Sequence, residues 1–226
     1  MSDAVVVDAG VPVIAIDGPG GSGKGTITSR LASHLGWHFL DSGALYRLTA
    51  LAVSNQQLAL DDEDAIGKVA ANLDIRFETS GSGVRALLEG QDVTDRIRSE
   101  DMGAVASKVA AIPVVRQALA GRQRRFRQLP GLVADGRDMG TVIFPDARLK
   151  IFLTASAQVR AERRYKQLKE KGESVNLTRL FREIKARDLR DQSRSVAPLR
   201  PAEDAVIIDS TGLNIDEVFN KVVSLI

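Results

Sequence analysis

Residues 18–26, Gly18-Pro19-Gly20-Gly21-Ser22-Gly23-Lys24-Gly25-Thr26, constrain the fold of this chain more than any other segment. The apolar run Val13-Ile14-Ala15-Ile16 precedes them and ends at Asp17, as in a central parallel strand buried on both faces. After the turn, Lys24 to Gly36 reads as a helix, with Ile27, Leu31 and Leu35 spaced by four and Gly36 as its stop. Strand, glycine-rich turn and amphipathic helix in that order make a phosphate-binding loop. Glycines let backbone N–H groups turn inward onto phosphate oxygens, and the helix N-terminus favours an anion. A plain strand-to-helix turn is the alternative. Gly18, Gly23 and Lys24 fit the general pattern G-x-x-x-x-G-K-[ST], with Lys24 as a movable cation for the terminal phosphates. Gly25 stands where Ser or Thr is usual, and Thr26 follows one step later.

The rest of the chain alternates strands and helices. Trp37-His38-Phe39-Leu40 is a second strand closed by Asp41-Ser42-Gly43, with a helix from about Ala44 to Ser54. Leu132-Val133-Ala134, Leu149 to Leu153 and Ala205 to Asp209 are three more strands. Helices are expected over Glu100–Leu129 (broken near Pro113), Ala157–Lys171, Leu177–Ser193 and Ile215–Ile226. Five core strands alternating with helices predict an α/β fold with a doubly wound parallel sheet. Between about residues 73 and 94 the period changes to two. Ile75 and Phe77 alternate with charged residues, and Val84, Ala86 and Leu88 alternate with Arg85, Leu87 and Glu89, around turns at Gly81-Ser82-Gly83 and Gly90-Gln91. That is a small antiparallel meander inserted into the α/β frame. No repeat or linker interrupts the chain, so residues 1–226 are expected to form a single domain, with residues 1–12 as a loosely held extension.

Composition excludes several classes. The 226 residues are 44% hydrophobic and 27% charged, which suits a packed core rather than a disordered chain. With no cysteine, disulfides, Cys-based zinc sites and thiol catalysis are ruled out. The formal net charge of +2 is too small to argue for nucleic acid by itself. No run of about 18 apolar residues suggests a membrane span, and Met1–Gly10 lacks the basic start of a secretory signal. A cytoplasmic protein with no nucleic-acid or membrane partner is expected.

Two further runs fall at strand ends, the edge where ligands bind in open α/β folds. Asp41-Ser42-Gly43-Ala44-Leu45-Tyr46-Arg47 supplies a hydroxyl, a phenol and a guanidinium, although Ser42 also suits a helix N-cap. Asp135-Gly136-Arg137-Asp138-Met139-Gly140 follows an apolar strand. Asp135 sits where a magnesium-organising carboxylate is expected, and the planar fork of Arg137 suits an acceptor phosphate. The alternative for this run is a local Arg–Asp pair. Arg187, Asp191 and Arg194 are spaced i, i+4, i+7 and share a helix face, which fits either a binding set or a solvated ladder of ion pairs beginning at Glu183.

The Lys24-Gly25-Thr26 ending resembles the nucleoside monophosphate kinases. Together with Asp41–Arg47, Asp135–Val142, Phe144-Pro145-Asp146, Glu183–Asp188, Val196–Leu199 and Asp209-Ser210-Thr211, it makes the chain resemble the bacterial cytidylate kinases from about Val13 onward. The resemblance implies transfer of the γ-phosphoryl group of ATP to CMP or dCMP with Mg²⁺. It implies that Ser42, Ser107, Arg116 and Asp138 contact the cytosine. Arg187, Asp191 and Arg194 would complete the sugar and base pocket, and Tyr46, Arg47 and Arg137 would line the acceptor phosphate. Thr26 and Asp135 would meet the metal directly or through water. Residues 157–175 would form a short helical lid whose Arg160, Arg163 and Arg164 bring cations to the transferring group, as opposed to a solvated amphipathic helix. A monomer is expected.

No nucleophile or general base is required, because a nucleoside monophosphate with a second pKa of about 6 is already an oxyanion at neutral pH. Positioning and charge neutralisation by Lys24, Arg137, Arg160 and Arg164 carry the expected chemistry. Two other readings remain at this level. The cluster Arg116, Arg122, Arg124, Arg125 and Arg127 could face nucleic acid, and another small acceptor such as shikimate could replace the nucleotide.

Overall fold

The computed structural model describes residues 10–80 and 83–226. The described residues fall into two compact units, 10–41 with 123–226, and Ser42–Arg122.

The first unit is built on five parallel strands: β1 (Val13–Asp17), β2 (His38–Asp41), β6 (Leu132–Gly136), β7 (Leu149–Thr154) and β8 (Val206–Asp209). Their spatial order is β2-β6-β1-β7-β8. β1 lies centrally between β6 and β7, with Ile16 opposite Asp135 and Ile151. All five of its residues are buried, which is why Val13 to Ile16 form an unbroken apolar run. Helix α1 (Lys24–Leu35) and helix α9 (Ile215–Val223) cover one face. There Ile27, Leu31, Val218, Phe219 and Val222 pack on Ile14, Ile16 and Ile151. Gly36 closes α1 in the left-handed conformation, as its sequence position suggests. Helices α7 (Ala157–Glu170) and α8 (Leu177–Ser193) form a hairpin, each opened by a side-chain cap, Ser156 and Asn176. Strands are added on one side of β1 as β2 and β6 and on the other as β7 and β8, and the glycine-rich loop leaves from its carboxyl end, the usual ligand position.

The second unit contains α2 (Ser42–Asn55), α3 (Glu63–Ala71), the strands β3 (Ile75–Ser80), β4 (Gly83–Leu88) and β5 (Gln91–Asp92), and then α4 (Thr94–Ile97), α5 (Glu100–Val109) and α6 (from Pro113). The three strands are antiparallel, as the alternation indicates. Leu48, Leu51 and Ala52 of α2 pack with Ala86, Leu88 and Val93 of this meander. Leu87, placed by alternation among the polar set, is buried as well.

Several boundaries differ from the sequence reading: the helix expected to run to Leu129 ends at Arg124, and the last helix ends at Val223 rather than Ile226. Most of the expected extension, residues 1–9, lies outside the described residues. From Val11 onward the chain is anchored: Val11 is buried, its carbonyl accepts from Arg127 Nε at 2.8 Å, and Pro12 O accepts from Leu132 N at 3.0 Å. Ser42 is the first residue of α2 rather than a cap ahead of it. Among the described residues no helix is long and apolar enough to cross a membrane.

Candidate active site

The loop from Gly18 to Thr26 is held through its carbonyls. Pro19 O accepts from Lys24 Nζ at 3.3 Å, and Gly20 O accepts from Arg160 Nη1 at 3.0 Å. Ser22 O accepts from Ser210 Oγ at 3.2 Å and Arg163 Nη1 at 3.4 Å. A peptide's N–H points away from its own carbonyl, so carbonyls tied to the body turn N–H groups to the opposite side. Gly23, the N-cap of α1, has φ 92°, a conformation that glycine adopts without strain. It supplies no side-chain cap, and the first turn of α1 carries no acidic residue. The first helical bond runs from Ile27 N to Gly23 O. The helix start is therefore open to an external anion, and a triphosphate fits it.

Lys24 is buried, with Nζ 3.7 Å from Asp135 Oδ1. Burial and then the Arg137 charge lower the Lys24 pKa, against the pull of Asp135. Burial raises that of Asp135, with Lys24 opposing. Asp135 faces Asp41 across the β2–β6 pair. Its Oδ2 lies 3.2 Å from where a Cβ on Gly25 would stand, which gives the missing Ser or Thr at that position a steric reason. No group of three or more metal-ligating side chains occurs among the described residues. Mg²⁺ in kinases needs only one or two carboxylates together with substrate phosphates, so the oxygen donors Asp135 and Asp41 fit it. Thr26 is exposed on the first turn of α1.

Arg137 and Asp138 follow β6 directly. Arg137 Nε donates to Asp191 Oδ2 at 3.1 Å, and Arg187 Nε lies 4.0 Å from the same oxygen. Burial raises the Asp191 pKa, but Arg137, Arg187 and Arg194 outweigh it and hold it below the usual carboxylate value. Asp191 is 5% exposed, and Glu183 pairs with Arg179 instead, so the solvated-ladder alternative fails for this face. Arg194 lies just past the end of α8, its Nε donating to Ala197 O. Asp138 is buried at the head of a five-residue π-helical turn, Met139–Ile143.

The expected lid arginines have different surroundings. Arg160 is 4% exposed and bonded to Ala155 O, Gly20 O and both carboxylate oxygens of Asp188. It ties the phosphate loop to α8. Arg163 clasps Ser210 and Leu213, and Arg164 reaches Gln167 one turn on. Asp188 and Asp17 escaped sequence reasoning. Asp17 stands where an apolar strand ends in a carboxylate, the one local signal it offers.

Within the second unit, Arg116 lies over the Tyr46 ring at 5.6 Å from its centroid and donates to Ala110 O at 3.1 Å. Arg47 donates to Ile97 O at 2.6 Å and Ser99 O at 3.1 Å. Ser42 and Ser107 are both buried, on the packed helices α2 and α5. The arginine cluster is not a free basic face. Arg122 caps Leu73 O, Arg124 the carbonyls of Val142 and Ile143, and Arg127 bonds Val11 O and Asp146. His34 stacks edge-on against Phe219, and His38 bonds Leu129 O.

Residues 14–226 match the family model for cytidylate kinase. A cytidylate kinase from Stutzerimonas stutzeri is 60% identical over 216 residues, covering 95% of this chain and 94% of that protein. One from Aeromonas salmonicida is 58% identical over 213 residues, covering 94% and 93%. One from Klebsiella pneumoniae is 57% identical over 213 residues, covering 94% of each. With a family match across nearly the whole described chain and a phosphate loop, buried lysine and paired arginines at the sheet's carboxyl edge, the chain belongs to the cytidylate kinase family.

Proposed function

We propose that this chain transfers the γ-phosphoryl group of ATP to CMP and dCMP by direct in-line displacement, without a covalent intermediate, acting as a monomer in the cytoplasm. The observation that carries this reading is the buried Lys24 beside Asp135, at the start of an uncapped helix. That arrangement suits the terminal phosphates of ATP, and relatives named cytidylate kinase suggest the acceptor.

Each residue then has a role its chemistry suits. The N–H groups of residues 18–26 cradle the phosphates, and Lys24 offsets charge on the transferring group. Arg137, held in place by Asp191, presents a guanidinium to the acceptor phosphate. Ser42, Tyr46, Arg47, Ser107, Arg116, Asp138, Arg187, Asp191 and Arg194 are proposed as CMP contacts. Thr26 and Asp135, with Asp41 beside it, would hold Mg²⁺ directly or through water. A cation held there would supply positive charge against the phosphate oxygens. Residues 157–175, helix α7 and the loop after it, are proposed as a lid. Arg160, bonded to Gly20 and Asp188, braces the phosphate loop, and Arg164 is proposed as a lid cation for the transferring phosphoryl.

A coupled assay of ADP release on adding CMP to protein, ATP and Mg²⁺ tests this reading. Turnover should appear with CMP and fall by orders of magnitude in Lys24→Ala. Full activity in that variant would refute the role of Lys24.

A further inference from the structure

Asp17 is the last residue of the central strand and is 5% exposed. Its two oxygens are both used. Oδ1 accepts from Met139 N at 2.8 Å, and Oδ2 accepts from Gly140 N at 2.8 Å. These two consecutive N–H groups open the π-helical turn Met139–Ile143, whose own N-cap, Asp138, makes no side-chain capping bond. A carboxylate 122 residues away in sequence therefore performs the capping. One hydrogen bond would let the turn pivot; two donated by adjacent peptides to one carboxylate fix its orientation.

What this fixes is not neutral ground. Arg137 and Asp138 lie immediately ahead of the capped turn, and Gly18, the first residue of the phosphate loop, lies immediately after Asp17. The residue that precedes the donor loop thus caps the turn that follows Arg137 and Asp138. A buried carboxylate is a costly way to cap five residues. Desolvation opposes its charge, and Asp138 and Asp135 add like charge nearby. Fold stability alone gives little reason for it.

We infer that Asp17 is a positioning residue for the acceptor nucleotide: by holding the N–H groups of Met139 and Gly140 it fixes the Arg137–Asp138 pair relative to the phosphate loop. The inference rests on the proposed kinase activity. It concerns geometry rather than contact, since Asp17 acts through the loop.

The test is steady-state kinetics of wild type and Asp17→Asn with ATP and CMP, together with calorimetric ADP binding. The asparagine keeps one acceptor and loses the second. kcat/KM for CMP should fall at least about tenfold (~1.4 kcal/mol), while the Kd for ADP changes less than about twofold, because Arg160, Arg163 and Ser210 still anchor the donor loop. Asp17→Glu keeps the charge but displaces both oxygens, and should show the same acceptor-selective loss. Unchanged CMP kinetics would overturn the inference. So would a parallel loss of ADP affinity, or failure of both variants to fold, since Asp17 would then serve the donor loop or the fold. A wild-type protein that phosphorylated AMP but not CMP would refute the acceptor assignment alone, and the same comparison would then be made with AMP.

Discussion

Asp135 Oδ2 stands 3.2 Å from the point a Cβ on Gly25 would occupy, while Oδ1 of the same carboxylate lies 3.7 Å from Lys24 Nζ. The side chain at position 25 and the orientation of the carboxylate facing Lys24 are thus one steric problem. The chain solves it with glycine and moves its hydroxyl one residue on, to Thr26.

Restoring the usual pattern should therefore harm the enzyme. Gly25→Ser pushes Asp135 by a few tenths of an ångström and disturbs its pairing with Lys24. The kcat for CMP phosphorylation should fall by about tenfold, or ~1.4 kcal/mol in the barrier. Steady-state kinetics check this, and wild-type kcat would show that the close approach has no functional weight.

Asp191→Ala removes the carboxylate that Arg137 bonds at 3.1 Å and whose charge Arg187 and Arg194 share. Breaking such a buried pair from one side costs about 3 kcal/mol. Urea denaturation should show a loss of that order, and KM for CMP should rise at least about tenfold. A normal KM would remove Arg137 from the acceptor-phosphate role.

Leu31 separates packing from chemistry. It is fully buried on α1 against the central sheet, far along the helix from Lys24. Leu31→Ala should cost about 2–5 kcal/mol of stability and leave KM for ATP and CMP unchanged below the shifted melting temperature, as thermal unfolding and kinetics at 20–25 °C can establish.

Asp17 also makes stability depend on pH. Burial, opposed by the two N–H groups, lifts its pKa from 3.8 to about 7. Between those values the folded chain holds a proton that the unfolded chain has lost. Its contribution to stability is therefore present below pH 4, falls as pH rises, and is gone above about 7, with a limiting slope of about 1.4 kcal/mol per pH unit. Asp135, also raised by burial, acts with the same sign. Asp191, Asp146, Asp204 and Asp209, whose pKa values are lowered, act with the opposite sign at lower pH. Urea midpoints of wild type and Asp17→Asn from pH 4.5 to 7.5 should diverge in favour of the variant as pH rises. A difference independent of pH would contradict the assignment.

How much of this was legible in the sequence follows from the range of each interaction. Buried parallel strands announce themselves as apolar runs ending in a polar residue, so Val13–Asp17, Leu132–Asp135 and Leu149–Leu153 were readable locally. The same holds for α8, found over Leu177–Ser193 as expected. Helix α3 passed unremarked although Asp62 caps it and Ile66 and Ala70 form its buried face, because its nine residues give barely two turns of pattern. The π-helical turn had no local signal, since Gly140 and Thr141 favour no helix and its cap comes from Asp17. Arg160 illustrates the limit. Its position pointed to a lid cation, but its bonds to Gly20 and Asp188 depend on segments 140 and 28 residues away. Local pattern identifies a cation; only the fold identifies what neutralises it.

The central claim is the acceptor. The most direct measurement is ADP release with ATP and Mg²⁺ across a panel of CMP, dCMP, UMP and AMP, comparing kcat/KM for each. CMP and dCMP should exceed AMP by at least about a hundredfold, a discrimination of ~2.7 kcal/mol. A clear preference for AMP, or no turnover with CMP, would contradict the account.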